Sequence, residues 1–123
     1  MRSVHLAARA LVALAAAAPW LWLLLFVALS AAATVHLGRL PRYNNPDPKT
    51  IEHLVWLHGL ANQVFISMLL SPLVAGAGLA VRSFVSPDIG DERWRLLAHA
   101  GGLGLAAIVL FGDVLRLGSW FLD

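Results

Sequence analysis

Three long apolar stretches separated by two polar clusters set the pattern of this chain. The first extends from Ala10 to Leu37, the second from Ile51 to Arg82, and the third from Trp94 to about Phe121. About 20 apolar residues, rising about 1.5 Å each, cross the ~30 Å hydrocarbon layer of a bilayer, and each stretch has that reach. Inside lipid no water satisfies the peptide groups, so a spanning segment must bond its own backbone as a helix. The pattern therefore predicts an all-α, polytopic integral membrane fold: three transmembrane helices at about residues 10–37, 51–82 and 94–121, in a single domain covering 1–123.

Local residues refine each segment. Arg2 and Arg9 lead into an alanine and leucine run through Ala16-Ala17-Ala18, which has the look of a signal peptide. The apolar run continues past Pro19 to Leu37, so an uncleaved signal anchor is the better reading. Pro19 lacks an N–H and crowds the carbonyl four residues back; it marks a kink or the helix start, with the segment tilted or its first part lying at the interface. In the second stretch Thr50 is a candidate N-cap, and Glu52 in the first turn suits the helix dipole. Its first half carries Glu52, His53, His58, Asn62 and Gln63 and belongs at the membrane edge or in a protein interface, whereas residues 64–81 carry no charge and span. Ser71-Pro72 predicts a bend at which Ser71 can satisfy freed backbone groups. Residues 82–95 have turn chemistry. On the third stretch Ala98, Gly102 and Ala106 fall four apart, a small-residue groove where another helix can approach closely.

Composition supports the same solvent. Of the 123 residues 59% are hydrophobic and 13% charged, and the mean hydropathy is +0.75. A soluble domain carries roughly 25% charged residues, so this chain has too little polar surface to cover a globule in water. With no cysteine there is no disulfide, thiolate metal site or cysteine nucleophile. The net charge of +2 is spread over the segment ends as headgroup anchors would be, and no basic block suggests nucleic acid.

Three spans put the termini on opposite sides. Arg2, Arg9, Arg82, Arg93 and Arg95 then lie on one side and Arg39, Arg42, Lys49 and Arg116 on the other, a five-to-four count that leans towards a cytoplasmic N-terminus. His58 and His99 fall near opposite surfaces, which disfavours a haem held between them. On the side of the first loop the topology gathers His36, Glu52, His53, His58, Asn62, Asp113 and Arg116. His58 and Asn62 share a face, and Asp113 and Arg116, three apart, can pair. A charge held at membrane depth is a functional hypothesis by default, although an interfacial ion pair is the simpler account of Asp113 with Arg116. His36, in the spacing Ala32, His36, Leu40 that resembles bacterial light-harvesting helices, and His58 are candidate ligands of a haem or bacteriochlorophyll. His53 and His58, five apart, are poorly spaced for a shared metal, and no metal site is expected. His5 and His99 read as interfacial polar residues, and Trp20, Trp22, Trp56, Trp94 and Trp120 as belt or packing residues.

The first loop is the densest polar signal. Pro41, Asn44, Asn45, Pro46 and Pro48 stiffen it, Arg39 and Arg42 can reach phosphates or carboxylates, and Tyr43 and Lys49 suit the headgroup level. The run Gly38-Arg39-Leu40-Pro41-Arg42-Tyr43 followed by Pro46-Asp47-Pro48-Lys49 resembles the loop of small uncharacterised bacterial inner-membrane proteins with a G-R-x-P-x-Y…P-D-P-K pattern. The resemblance covers about a tenth of the chain; it implies a bacterial inner-membrane protein and carries no activity with it.

No Ser/His/Asp arrangement, phosphate-cradling glycine loop or dinuclear metal pattern occurs, so an enzyme is the least expected class. The leading expectation is a small non-enzymatic subunit packed in a larger bacterial inner-membrane complex, respiratory or photosynthetic. Its contacts with lipid or partner subunits would come from Arg39, Arg42, Tyr43, Lys49, Ala98, Gly102 and Ala106. The alternatives are a haem- or chlorophyll-binding protein using His36 or His58, and an oligomeric proton or ion conductor built on Asp113, Arg116, His58 and Asn62.

Overall fold

The computed structural model describes residues 2–42, 47–85, 92–113 and 116–122. Among the described residues there are four α-helices: α1, Arg2–Leu37; α2, Val55–Val85; α3, Arg93–Gly112; and α4, Leu117–Leu122. Two short 3-10 turns, Pro48–Thr50 and Glu52–Leu54, lead into α2. The fold is all-α, and α1, α2 with its preceding turn, and α3 are each long and apolar enough to cross a membrane. This is a three-span membrane protein.

The first helix is longer than the hydropathy pattern predicts. It starts at Arg2, ahead of Ala10, and its 36 residues run about 54 Å. Pro19 lies inside it and is neither its start nor a break. The early segment is rich in alanine and leucine, the strongest helix formers, and its inner face has a partner: Ala8, Val12, Ala15 and Ala16 are buried. Against that face lies Gly78 of α2, where an added Cβ would come within 2.9 Å of Val12 Cγ2. Burial against α2 thus fixes a segment that hydropathy alone would leave at the interface.

Thr50 is not the N-cap of the second span. Asp47 caps the separate 3-10 turn Pro48–Thr50 ahead of it, its Oδ1 accepting from Lys49 N at 2.8 Å and its carbonyl accepting from Thr50 N and the Thr50 hydroxyl at 2.9 and 2.7 Å, whereas Ile51, which precedes the span, makes no side-chain capping bond. Proline at the first position of the turn needs no N–H partner, which suits Pro48 to the start. Further along α2, Pro72 frees the carbonyl of Met68, and Ser71 Oγ donates to that oxygen at 2.6 Å.

The third span ends at Gly112, well before residue 121. Asp113 adopts a left-handed conformation with φ of 40°, Arg116 another with φ of 57°, and α4 begins at Leu117. Gly118 sits so close to α3 that a Cβ would meet the carbonyls of Val109 and Leu110 at 2.8 Å each. The last helix therefore folds back onto the end of α3 instead of prolonging it. Its Trp120 and Phe121 are buried.

α1 is the centre of the bundle. α2 runs antiparallel to it, and α3 lies parallel to it on another face; α2 and α3 hardly touch. Phe121 from α4 fills part of the space between them. It meets Trp22 and Phe26 of α1 and Phe65 and His58 of α2, with ring centroids 5.5–5.8 Å apart. Tilted and edge-on aromatic pairs at this spacing add about 0.5–1.5 kcal/mol each beyond their area. The buried cluster also takes in Leu23, Leu29, Ala33, Ile51, Ala61, Met68 and Ala106.

Candidate functional site

The polar groups gathered on the first-loop side fall into three separate places. His36 and His53 face each other across the loop, ring centroids 6.0 Å apart and both exposed. His58 is buried against Phe121, its Nε2 3.4 Å from the Phe121 carbonyl oxygen. Asn62, one turn further, is exposed, so the helix face that the i, i+4 spacing predicts is shared only at its edge. Glu52, Arg39, Arg42 and Lys49 are exposed around the loop, while Tyr43 lies outside the described residues. Among the described residues no group of three or more His, Asp or Glu side chains could hold a metal ion.

The Asp113 carboxylate takes its hydrogen bonds from Ser119. Its Oδ2 accepts from the Ser119 hydroxyl at 2.7 Å and its Oδ1 from Ser119 N at 3.1 Å, while Arg116 N donates to the Asp113 carbonyl at 2.8 Å. The carboxylate thereby caps the first turn of α4. The Ser119 hydroxyl, its backbone N–H and that of Gly118, and the nearby Arg116 charge hold the Asp113 carboxyl below the usual carboxylate range against the opposing effect of burial. The expected pair is therefore a capping device. Beside it an apolar hollow of about 290 Å³ opens between α1 and the α3–α4 corner, lined by Phe26, Val27, Ile108, Val109 and Leu117.

The small-residue groove on α3 is occupied by the chain's own α1. Gly102 and Ala106 are buried, and Trp20 Nε1 donates to the Ala98 carbonyl at 3.0 Å. A Cβ on Gly102 would stand 2.9 Å from Trp20 Nε1 and 3.0 Å from Pro19 Cβ. Glycine is needed here for close approach, as the four-residue spacing implies, but the partner is internal. Of the three residues expected to contact lipid or a partner, Gly102 and Ala106 are thus covered from within the chain, while Ala98 is exposed.

The most concentrated charge lies at the opposite end, where α1 and α3 begin and α2 ends. Glu92, with 0% of its side chain exposed, stands directly before α3 and receives three arginines. Arg82 from the last turn of α2 pairs with it side chain to side chain. Arg95 Nη1 donates to both carboxylate oxygens at 3.0 and 2.9 Å, and Arg9 Nε of α1 stands 3.4 Å from Oε1. Arg82 is buried with the carboxylate, whereas Arg9 and Arg95 keep 38% and 37% of their side chains exposed. Sequence reasoning treats Glu92 as one turn residue among several. The available signal was the sorting of Arg9, Arg82 and Arg95 to one membrane side together with Glu92.

His99 lies two turns below Glu92 on α3. The sequence reads it as an interfacial residue; it is buried, and among the described residues neither ring nitrogen has a hydrogen-bond partner. It packs on the same face of α3 as Gly102 and Ala106, the face turned to α1.

Comparison with models of known protein families, with curated proteins and with solved structures gives no match for this chain.

Proposed function

We propose that the chain is a small, non-enzymatic subunit of a larger bacterial inner-membrane assembly, respiratory or photosynthetic, with its N-terminus in the cytoplasm. The observation that supports this reading is the open build of the bundle: α2 and α3 pack on α1 and hardly on each other. Large apolar side chains on both outer helices therefore point away from the chain's own core, Phe84 of α2 with 92% and Phe111 of α3 with 85% of its surface exposed. In a bilayer such faces are free to meet lipid or the helices of neighbouring subunits. The orientation rests on the five basic residues of the N-terminal side against four on the other. Gentle extraction followed by native mass analysis tests the proposal. Stoichiometric co-purifying membrane chains are expected, and migration of this chain alone would overturn it.

A tetrapyrrole-binding reading now rests on His36, which is exposed at the end of α1. His58 contributes less, because its ring is spent on Phe121. An absorption spectrum of the purified protein decides: a Soret or bacteriochlorophyll band supports it, and a featureless visible spectrum removes it. An ion-conducting reading needs Asp113, Arg116, His58 and Asn62 along one path. Asp113 is committed to Ser119, His58 is packed on Phe121, and Asn62 is exposed, which speaks against one path through them.

A further inference from the structure

We infer that the arginine cluster around Glu92 is a binding site for the phosphate of an anionic phospholipid headgroup, with Arg9 and Arg95 as the residues that engage it. Three guanidinium groups converge on one carboxylate, so the described cluster carries two more positive charges than negative ones. Among the described residues no second acid joins the cluster. Among the described residues this end sets Arg9, Arg82, Arg93 and Arg95 against Glu92, whereas the other end sets Arg39, Arg42, Lys49 and Arg116 against Asp47, Glu52 and Asp113.

Position and geometry point to lipid as the counter-charge. The cluster stands where two membrane spans begin and one ends, at headgroup level, and a low-dielectric neighbour on one side strengthens the attraction of an anion. Glu92 fixes the arginines. Arg95 uses one nitrogen, Nη1, on both carboxylate oxygens, and Arg9 approaches through Nε. The remaining donors of these two half-exposed forks are then presented from neighbouring helices, the arrangement that suits the several oxygens of a phosphate. Trp94, exposed beside the cluster with the Arg93 guanidinium 5.2 Å from its ring centroid, marks the membrane interface at the same level.

The test uses the full chain purified in detergent and reconstituted into nanodiscs of phosphatidylcholine alone or with phosphatidylglycerol. Each interfacial arginine adds about fivefold to the affinity for an anionic surface, so native mass spectrometry should show phosphatidylglycerol retained on the order of tenfold or more over phosphatidylcholine. Equal retention of the two lipids by the unaltered protein overturns the proposal without reference to any variant. Arg9→Gln with Arg95→Gln should abolish the preference, with Arg82 left to accompany Glu92. Arg116→Gln, which removes a positive charge from the other end, should keep it; a loss as large as that from Arg95→Gln alone would reduce the effect to net charge and overturn the site. Inorganic phosphate that displaces phosphatidylglycerol and raises the thermal midpoint of delipidated protein as much as the lipid does would assign the site to a free anion and overturn the lipid assignment.

Discussion

Arg82 and Glu92 meet in a place closed to solvent, one arriving from the last turn of α2 and the other standing at the start of α3. Two ions withdrawn from water cost several kcal/mol apiece, and only close pairing with further hydrogen bonds repays it. Glu92 has those bonds, since Arg95 adds two and Arg9 a third charge. The pair ties together ends of helices that otherwise hardly touch.

Removing the carboxylate should therefore be the costliest change at this end. Glu92→Leu is expected to lower stability by about 3–5 kcal/mol, the range for breaking one side of a buried ion pair. Glu92→Leu combined with Arg82→Met should recover part of the loss, because an apolar pair removes the buried cation that Glu92 no longer offsets. Reversible unfolding in mixed micelles measures both, and a double variant no better than the single one would show that Arg82 owes its place to something other than Glu92.

The helices were legible in the sequence because a membrane span needs little more than length and hydrophobicity, and both are written along the chain. The same signal hid what breaks them. Leu110, Phe111, Val114, Leu115 and Leu117 continue the apolar run straight through Asp113, so hydropathy cannot mark the turn made there. Pro19 misleads in the opposite sense: its local chemistry announces a helix start, and packing of the α1 inner face overrides it. Glu92 was illegible for a third reason. Its burial comes from three elements meeting in space, while along the chain it is one acid in a charged turn.

The packing of α1 on α3 depends on a missing side chain. Gly102→Ala puts a methyl group 2.9 Å from Trp20 Nε1 and 3.0 Å from Pro19 Cβ, and Pro19 cannot rotate away. Overpacking of this kind costs about 1–3 kcal/mol, and it should also weaken the Trp20 to Ala98 hydrogen bond. Gly104→Ala, two residues on with open space around it, should be neutral or slightly stabilising through better helix propensity. Thermal midpoints of the two variants side by side separate a packing effect from a general intolerance of alanine in α3.

The cap on α4 should be sensitive to acid. Asp113 has its carboxyl held below the usual range chiefly by the Ser119 hydroxyl, so folding favours its ionised form. A depressed carboxyl contributes stability above its unfolded pKa, about 3.9, and loses it as pH falls through the lower folded value. Protection of the Ser119 amide against hydrogen exchange, relative to its intrinsic rate, should accordingly be steady from neutral pH down to about 4 and fall below it. Ser119→Ala should remove the main cause of the shift and weaken the docking of α4 at every pH. An acid-independent protection profile in the unaltered protein would disconnect Asp113 from the cap.

His99 gives a prediction of opposite sign. A buried imidazole with no partner at either nitrogen forfeits its hydrogen bonds to water and gains none in return, a cost of about 1–3 kcal/mol for an unsatisfied polar group. The surrounding face of α3 is small and apolar, with Gly102 and Ala106 along it, so a leucine of similar bulk has no polar atom to strand. His99→Leu is expected to raise the thermal midpoint, while His99→Ala, which removes the cost but leaves a void, should gain less or lose. A drop in stability on His99→Leu would mean that the imidazole has a bonded partner in the assembled membrane protein, and comparing the variant in detergent with the variant in nanodiscs would show whether lipid supplies it.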